Sequence, residues 1–328
     1  MPKISVILCA HNPRAEYLQR VLDGLRRQTM PFSEWELLLV DNGSQSPLEG
    51  RFDLSWHPQG RHIREDDLGL TPARLRGIKE SVADLLVFVD DDTVLAENYL
   101  ERAFQVGCEW PFVGVWGGSS IPEFETPLPT WVGIEVWRLT SIEVKTDVWS
   151  NLREGFATTP VGAGMCVRRS VALFFSDRCN RNRKSRTLGR TGTTLVGYED
   201  VEIAHCAMDL GLGAGRTTKL RLSHLVPASR LTLDYFVRHA EGDAYSLQIF
   251  RAMRGLPIDP PPRVSAMSTL RYFVHRWLKK IPREQVELQK AHRRGHERGY
   301  LAAMEYLRTK SDSAGDMRPA ESTDRQTT

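Results

Sequence analysis

Along the first hundred positions, short continuous apolar runs alternate with stretches of helical period. Ile4-Ser5-Val6-Ile7-Leu8-Cys9 has strand length and almost no polar interruption. Residues 14–28 then set Leu18, Val21, Leu22 and Leu25 on one helical face, with Arg and Gln on the other. Glu36-Leu37-Leu38-Leu39-Val40 reads as a second buried strand, closed by the turn-forming Asp41-Asn42-Gly43-Ser44. A short strand near Arg61–Arg64, a helix over 72–83 and the run Leu85–Val89 into Asp90-Asp91-Asp92 complete the series. Apolar strands separated by helices predict an α/β fold: an open, mostly parallel sheet with helices on both faces. Such sheets bind ligands at the carboxyl ends of their strands. Ala10-His11-Asn12, Asp41-Asn42 and the three aspartates all fall at those ends.

The pattern changes after residue 110. Residues 110–165 are rich in Gly, Pro and Trp, hold five of the eight tryptophans and show few helical cues. Residues 176–194, rich in Gly, Thr and Arg, read as a long mobile loop carrying Arg178, Arg181, Arg183, Lys184, Arg186 and Arg190. Helices are expected from Glu199 to about Leu210, stopped by Gly211, and over about 232–254, with prolines 260–262 as a break. Residues 311–328 are Ser-, Thr- and Asp-rich and read as a disordered tail. The expected division is 1–230 as the α/β domain, 231–310 as a helical C-terminal extension, and 311–328 as tail.

Composition adds exclusions. With 41% apolar and 26% charged residues in 328, the chain has ample core without covalent staples. No run approaches the roughly 20 apolar residues of a membrane span, and the N-terminus lacks a signal-peptide pattern. The five cysteines, Cys9, Cys108, Cys166, Cys179 and Cys206, are scattered without metal-ligand spacing and fit a reducing compartment, so a cytoplasmic location is expected. The net charge of +3 is uneven: residues 271–310 carry eleven Lys/Arg against four Glu, leaving the remainder at −4.

Candidate chemistry starts at Asp90, Asp91 and Asp92. Adjacent carboxylates repel unless a cation relieves them, and an oxygen-rich cluster suits Mg²⁺ or Mn²⁺ with a diphosphate. Taken alone, a solvated acidic turn explains the run equally well. Asp41 stands where a carboxylate can accept a base N–H. Gly69-Leu70-Thr71-Pro72-Ala73-Arg74 opens a helix, offering N–H groups and Arg74 to a phosphate. Val161-Gly162-Ala163-Gly164-Met165 lets backbone approach a ligand. Gly197-Tyr198-Glu199-Asp200 leads two carboxylates into a helix, where ordinary N-terminal capping is the competing account.

In their order along residues 3–226, these stretches resemble the family 2 glycosyltransferases of the GT-A fold, bacterial-type and non-processive. The resemblance rests on Ser5–Asn12, Leu38–Ser44, Phe88–Thr93, Gly162–Met165 and Gly197–Asp200. It implies that Ala10, His11, Asn12, Asp41, Gly69, Arg74, Asp90 and Asp91 bind the nucleotide. It further implies that Asp92 and His224, the latter in Leu222-Ser223-His224-Leu225, hold Mn²⁺ or Mg²⁺. Asp200, paired with Glu199, would be the general base of an inverting transfer. The implied partners are a nucleotide-sugar donor, UDP-linked first of all although Asp41 would serve thymine or guanine too, and a glycan or lipid-linked acceptor. Two departures stand out. Position 10 is Ala where the family more usually has Thr or Ser, and Val201-Glu202-Ile203-Ala204 replaces the aromatic-rich acceptor motif of processive synthases.

Two other classes compete. Asp90-Asp91-Asp92-Thr93-Val94 also fits the nucleophile motif of haloacid-dehalogenase-like phosphatases, with Asp90 attacking phosphate. That motif normally follows a domain's first strand, and two strand–helix units precede it here. The basic loop could serve a nucleic-acid-binding module, but it lacks interleaved aromatics and no nucleic-acid partner is expected. The loop is instead expected to close over a diphosphate or a phosphate-bearing acceptor. Residues 271–281 set Phe273, Val274, Trp277, Leu278 and Ile281 against Arg271, His275, Arg276, Lys279 and Lys280. A basic amphipathic helix of this kind can touch the inner membrane surface, although packing on the catalytic domain is the simpler use.

Overall fold

The computed structural model describes residues 1–153, 157–182, 188–190, 195–261 and 281–315. In chain order the elements are β1 Ile4–Ala10, α1 Ala15–Arg26, β2 Trp35–Asn42, β3 Gly60–Glu65, α2 Leu70–Glu80, β4 Leu85–Asp90, β5 Thr93–Leu95 and α3 Tyr99–Glu109. They continue with β6 Val113–Phe124, β7 Val148–Ser150, β8 Cys166–Arg168, α4 Arg169–Arg181, α5 Glu199–Asp209, β9 Gly213–Val226, α6 Leu233–Arg254 and α7 Arg283–Gly315.

The strands form one mixed, largely parallel sheet in the order β3-β2-β1-β4-β8-β6-β9-β5, with β7 beside β9. The first four run parallel, as their apolar sequences predict. Both faces of β1 are covered, so its residues are apolar on both. Ile4, Val6 and Leu8 pack towards α1 and α3, while Ile7 and Cys9 pack towards α2, α4 and α5. Each fully buried Ile or Leu contributes about 1.5–3 kcal/mol.

Several boundaries differ from expectation for physical reasons. α2 begins at Leu70 rather than 72 because Pro72 is tolerated in a first helical turn, where no N–H is required. α3 and the long strand β6 were not anticipated. β6 is interrupted by Gly117-Gly118-Ser119-Ser120 and shifts register there against β9. A Cβ on Gly118 would lie 2.0 Å from the Leu220 carbonyl oxygen, so only glycine fits. The loop expected over 176–194 starts later, because α4 holds its residues through Arg181 by burying Val171, Ala172, Phe175 and Cys179. Arg183, Lys184 and Arg186 lie outside the described residues, as do 271–280 of the expected amphipathic helix. α7 runs to Gly315, five residues into the expected tail, and 316–328 are outside the described residues.

The helices after β9 are joined to each other, and to the segment before α5, by close backbone contact. A Cβ on Gly295 of α7 would meet the Glu241 carbonyl oxygen at 2.0 Å, and one on Gly299 that of Tyr245 at 2.7 Å. On α6 itself, a Cβ at Gly242 would lie 2.4 Å from the Leu195 carbonyl oxygen. Tyr235, Phe236, Leu288 and Ala291 share a core with Val132, Leu139 and Val226. Among the described residues, no helix is long and apolar enough to cross a membrane.

Candidate active site

Strand register brings the polar strand ends level. Ala10 pairs with Asp41 across β1–β2, and Cys9 with Asp90 across β1–β4. Above them lies a cleft of about 660 Å³, walled by Asp90, Asp91, Asp92, the Pro160–Ala163 turn, Glu199, Asp200, His224 and Arg230. β5 closes the far side by pairing antiparallel with β9, which sets Thr93 opposite His224. The Leu225 N–H donates to the Asp92 carbonyl at 2.8 Å, fixing the two side chains beside each other.

His224 Nδ1 lies 2.9 Å from the Leu139 carbonyl and must donate to it, which leaves Nε2 bare. That Nε2 is 3.6 Å from Asp92 Oδ2. Arg230 Nη1 bridges the two, 2.9 Å from Asp92 Oδ2 and 3.1 Å from His224 Nε2. Burial alone would raise the Asp92 carboxyl, but the Arg230 guanidinium outweighs it and holds Asp92 well below the usual carboxylate range. Asp91 goes the other way: burial, then Asp92 and Asp90, push its carboxyl well up. The two neighbours are thus pushed in opposite directions, which eases the repulsion between them.

Arg74 lines the cleft as expected, but its guanidinium is engaged by protein groups. Its side chain is 2% exposed, with Nη2 3.2 Å from Asp90 Oδ1 and Nη1 3.5 Å from Glu199 Oε1. It also donates to the Gly162 carbonyl at 3.2 Å and lies 4.9 Å over the Phe88 ring. The close approach allowed by Gly162 is accordingly to this guanidinium, 3.1 Å from a notional Cβ. The N-terminus of α2 is likewise served by protein. The Gly69 N–H donates to Asn42 Oδ1 at 2.8 Å, and the Leu70 N–H to the Arg190 carbonyl at 2.9 Å.

Glu199 and Asp200 open α5 after Tyr198, which holds a left-handed φ of 81°. That conformation costs an aromatic residue on the order of 1 kcal/mol and is found where a site fixes its backbone. Burial pushes the Glu199 carboxyl up to about 7 against the opposing pull of Arg74. Burial also raises Asp200, resisted by hydrogen bonds from backbone N–H groups and by Arg74. A carboxylate raised in this way is a stronger base than a solvated one.

The expected base-binding residues divide. Ala10, His11 and Gly69 line the cleft, together with Asn42. His11 Nδ1 lies 2.6 Å from the Asn42 carbonyl, to which it donates. Asp41 and Asn12 are not among the lining residues. Asp41 is buried and accepts from the Ser44 and Leu48 N–H groups at 2.9 and 3.1 Å and from Arg64 at 2.8 Å. Asn12 accepts from the Gln45 N–H at 2.9 Å. Both therefore brace the loop after β2.

Sequence reasoning missed Arg230 and the wall formed by Trp137, Arg138, His239 and Asp243. Of the five clustered tryptophans, Trp137 is the one at the cleft, 48% exposed with Arg138 4.3 Å over its ring. Burial pushes His239 down to about 3, so it is neutral, and raises Asp243. The signal for this pair was available: His239 and Asp243 are four apart on a predicted helix. Arg230 had no comparable signal, since it sits in a turn beyond β9.

For a divalent cation, the donor set fits in part. Asp92 offers an oxygen and His224 a bare nitrogen at adjacent positions, leaving the remaining ligands to diphosphate and water. Among the described residues, no group of three or more His, Cys, Asp or Glu is arranged to hold a metal alone.

Part of the chain is similar to known glycosyltransferases. Residues 5–166 match the model of glycosyl transferase family 2. The glycosyltransferase AglE of Haloferax volcanii is 34% identical over 105 residues, covering 31% of this chain and 34% of that protein. The poly(ribitol-phosphate) beta-N-acetylglucosaminyltransferase TarP of Staphylococcus aureus is 28% identical over 112 residues, covering 33% of this chain and 34% of its own. The match thus spans about a third of each relative. A crystal structure of S. aureus TarS residues 1–349 aligns over 94% of this chain and 92% of that one, with a TM-score of 0.47 at 14% identity.

Proposed function

We propose that this chain, whose residues 5–166 match the model of glycosyl transferase family 2, moves a sugar from a nucleoside diphosphate, UDP first of all, to an acceptor hydroxyl with inversion. The observation that carries this reading is one cleft holding two separate acidic centres. Asp90–Asp92 lie at the end of β4, and Asp200, with a raised carboxyl, lies at the start of α5.

Each centre has one task. Asp200 takes the proton from the acceptor oxygen as that oxygen attacks the anomeric carbon, and the diphosphate departs from the opposite face. A single base and a single displacement invert the centre. Asp92 and His224 would hold Mn²⁺ or Mg²⁺, which supplies charge neutralisation for the leaving diphosphate. Ala10, His11 and Asn42 would receive the nucleoside. Asp41 and Asn12 would fix the loop behind it, and Asp90 is held by Arg74 at the ribose side. Glu199, paired to Arg74, positions the first turn on which Asp200 stands.

On the acceptor side, Trp137 offers a flat face for a sugar ring, and Arg138 and Arg190 offer charge for a phosphate-bearing or lipid-linked glycan. Surface polysaccharide or glycoconjugate assembly on the cytoplasmic side is the process such a transferase would serve.

Titration with UDP, GDP, dTDP and CDP, with and without Mn²⁺, tests the donor reading: one diphosphate should stabilise the protein in a metal-dependent way, and Asp92→Ala should remove the effect. Asp200→Asn should lower transfer by about 10²–10⁴-fold with nucleotide affinity retained. Near-normal turnover in that variant would move the base elsewhere.

A further inference from the structure

Between Asp92 and His224, the two groups proposed above as metal donors, a cation is already present. Arg230 Nη1 stands 2.9 Å from the carboxylate oxygen and 3.1 Å from the imidazole nitrogen, while those two atoms are 3.6 Å apart. One nitrogen thus bridges both of the atoms that would hold the metal. We propose that Arg230 is a displaceable counter-ion that plugs the metal site at rest, so that metal enters only as the guanidinium leaves.

Electrostatics makes the two occupants exclusive. A guanidinium and a divalent cation about 3 Å apart repel strongly in a shielded site. His224 cannot serve both either, because its one bare lone pair accepts from Arg230 and its other nitrogen is spent on Leu139. Departure is structurally easy. Arg230 lies on the short 3-10 turn Ala228–Leu231 between β9 and α6, and its side chain is 25% exposed, against 2% for Arg74. It also lines the cleft, so the displaced guanidinium stays where a diphosphate could receive it. Metal and nucleotide should therefore load cooperatively, because release of the Arg230 guanidinium would free both Asp92 and His224 and a diphosphate would give it a new partner.

This inference rests on Asp92 and His224 being the metal donors, and Mn²⁺ binding followed by electron paramagnetic resonance separates the two ideas. Without nucleotide, Arg230→Ala and Arg230→Gln should bind Mn²⁺ at least about tenfold more tightly than the wild type. Arg230→Lys should fall between. Millimolar guanidinium should compete with Mn²⁺ in Arg230→Ala, and the enhancement of Mn²⁺ affinity by UDP should shrink in both neutral variants. If affinity is unchanged or weaker in all three variants while Asp92→Ala abolishes binding, Arg230 is no plug and the inference is overturned with the metal site intact. If Asp92→Ala binds Mn²⁺ as the wild type does, with and without UDP, the donors are misassigned and the inference falls with them. Thermal midpoints of the three variants establish that each is folded, and the lysine variant keeps the charge should the neutral ones unfold.

Discussion

Arg74 and Arg230 neutralise opposite ends of the same run of three aspartates, yet they are held in different ways. Arg74 projects from the first turns of α2 into a sealed position, stacked on Phe88 and shared by Asp90, Glu199 and a backbone carbonyl. Arg230 reaches its aspartate from a four-residue turn and keeps a quarter of its side chain in contact with solvent. Both line the cleft, but the first is almost wholly covered by its partners and the second is not. The difference teaches that charge compensation in one acidic site can be divided between stability and chemistry, with burial deciding which arginine serves which.

The largest effect should come from breaking the sealed side. Arg74→Met leaves Glu199 and Asp90 without their buried partner and should cost about 3–5 kcal/mol in urea unfolding. Arg230→Ala, whose Asp92 can regain water, should cost less than half of that, and equal losses would erase the distinction.

A second test sharpens the comparison through pH. Glu199 titrates at about 7 in the folded protein against an ordinary 4.5. Between those values the folded state keeps a proton that the unfolded chain has released. Stability should therefore fall as pH rises from 4.5 to 7, by up to about 3 kcal/mol, and level off above. Glu199→Gln should lose most of that slope; a profile parallel to the wild type would place the titration on another group.

The smallest effect should come from an arginine on neither side. Arg20 meets Glu123 in a two-pronged pair at 2.8 Å, but both side chains are about half exposed. Arg20→Ala should change stability by less than about 1 kcal/mol. A larger loss would mean that geometry, rather than burial, sets the scale.

The acidic groups of the cleft and the presence of Arg74 were legible in the sequence, whereas Arg230 and the partners of both arginines were not, for a physical reason. Asp90–Asp92 and Glu199-Asp200 stand at element ends that apolar runs announce, so their location follows from strand and helix limits. The targets of Arg74 and Arg230 depend on what packs across from them. One lies beneath Gly162, and the other beyond a strand pairing that joins Thr93 to His224. The parallel strands β1, β2 and β4 were readable because both their faces are buried. β6 was not, since its glycines answer to the Leu220 carbonyl rather than to any alternation. α4 carried a usable signal in the spacing of Val171, Ala172, Phe175 and Cys179, but the Arg- and Gly-rich residues after it drew the reading towards a loop.

The glycine contacts of α6 and α7 bear on how the chain can be taken apart. Leu195, against which Gly242 rests, is four residues before Glu199, and Gly295 and Gly299 press the last helix onto the same support. A designer who cut the chain after residue 230 to obtain a minimal catalyst would remove the scaffold under the proposed base together with the supposed accessory. Swapping in a relative's C-terminal helices would succeed only with glycines in register at these positions, which makes three residues without side chains the coupling standard for any chimera.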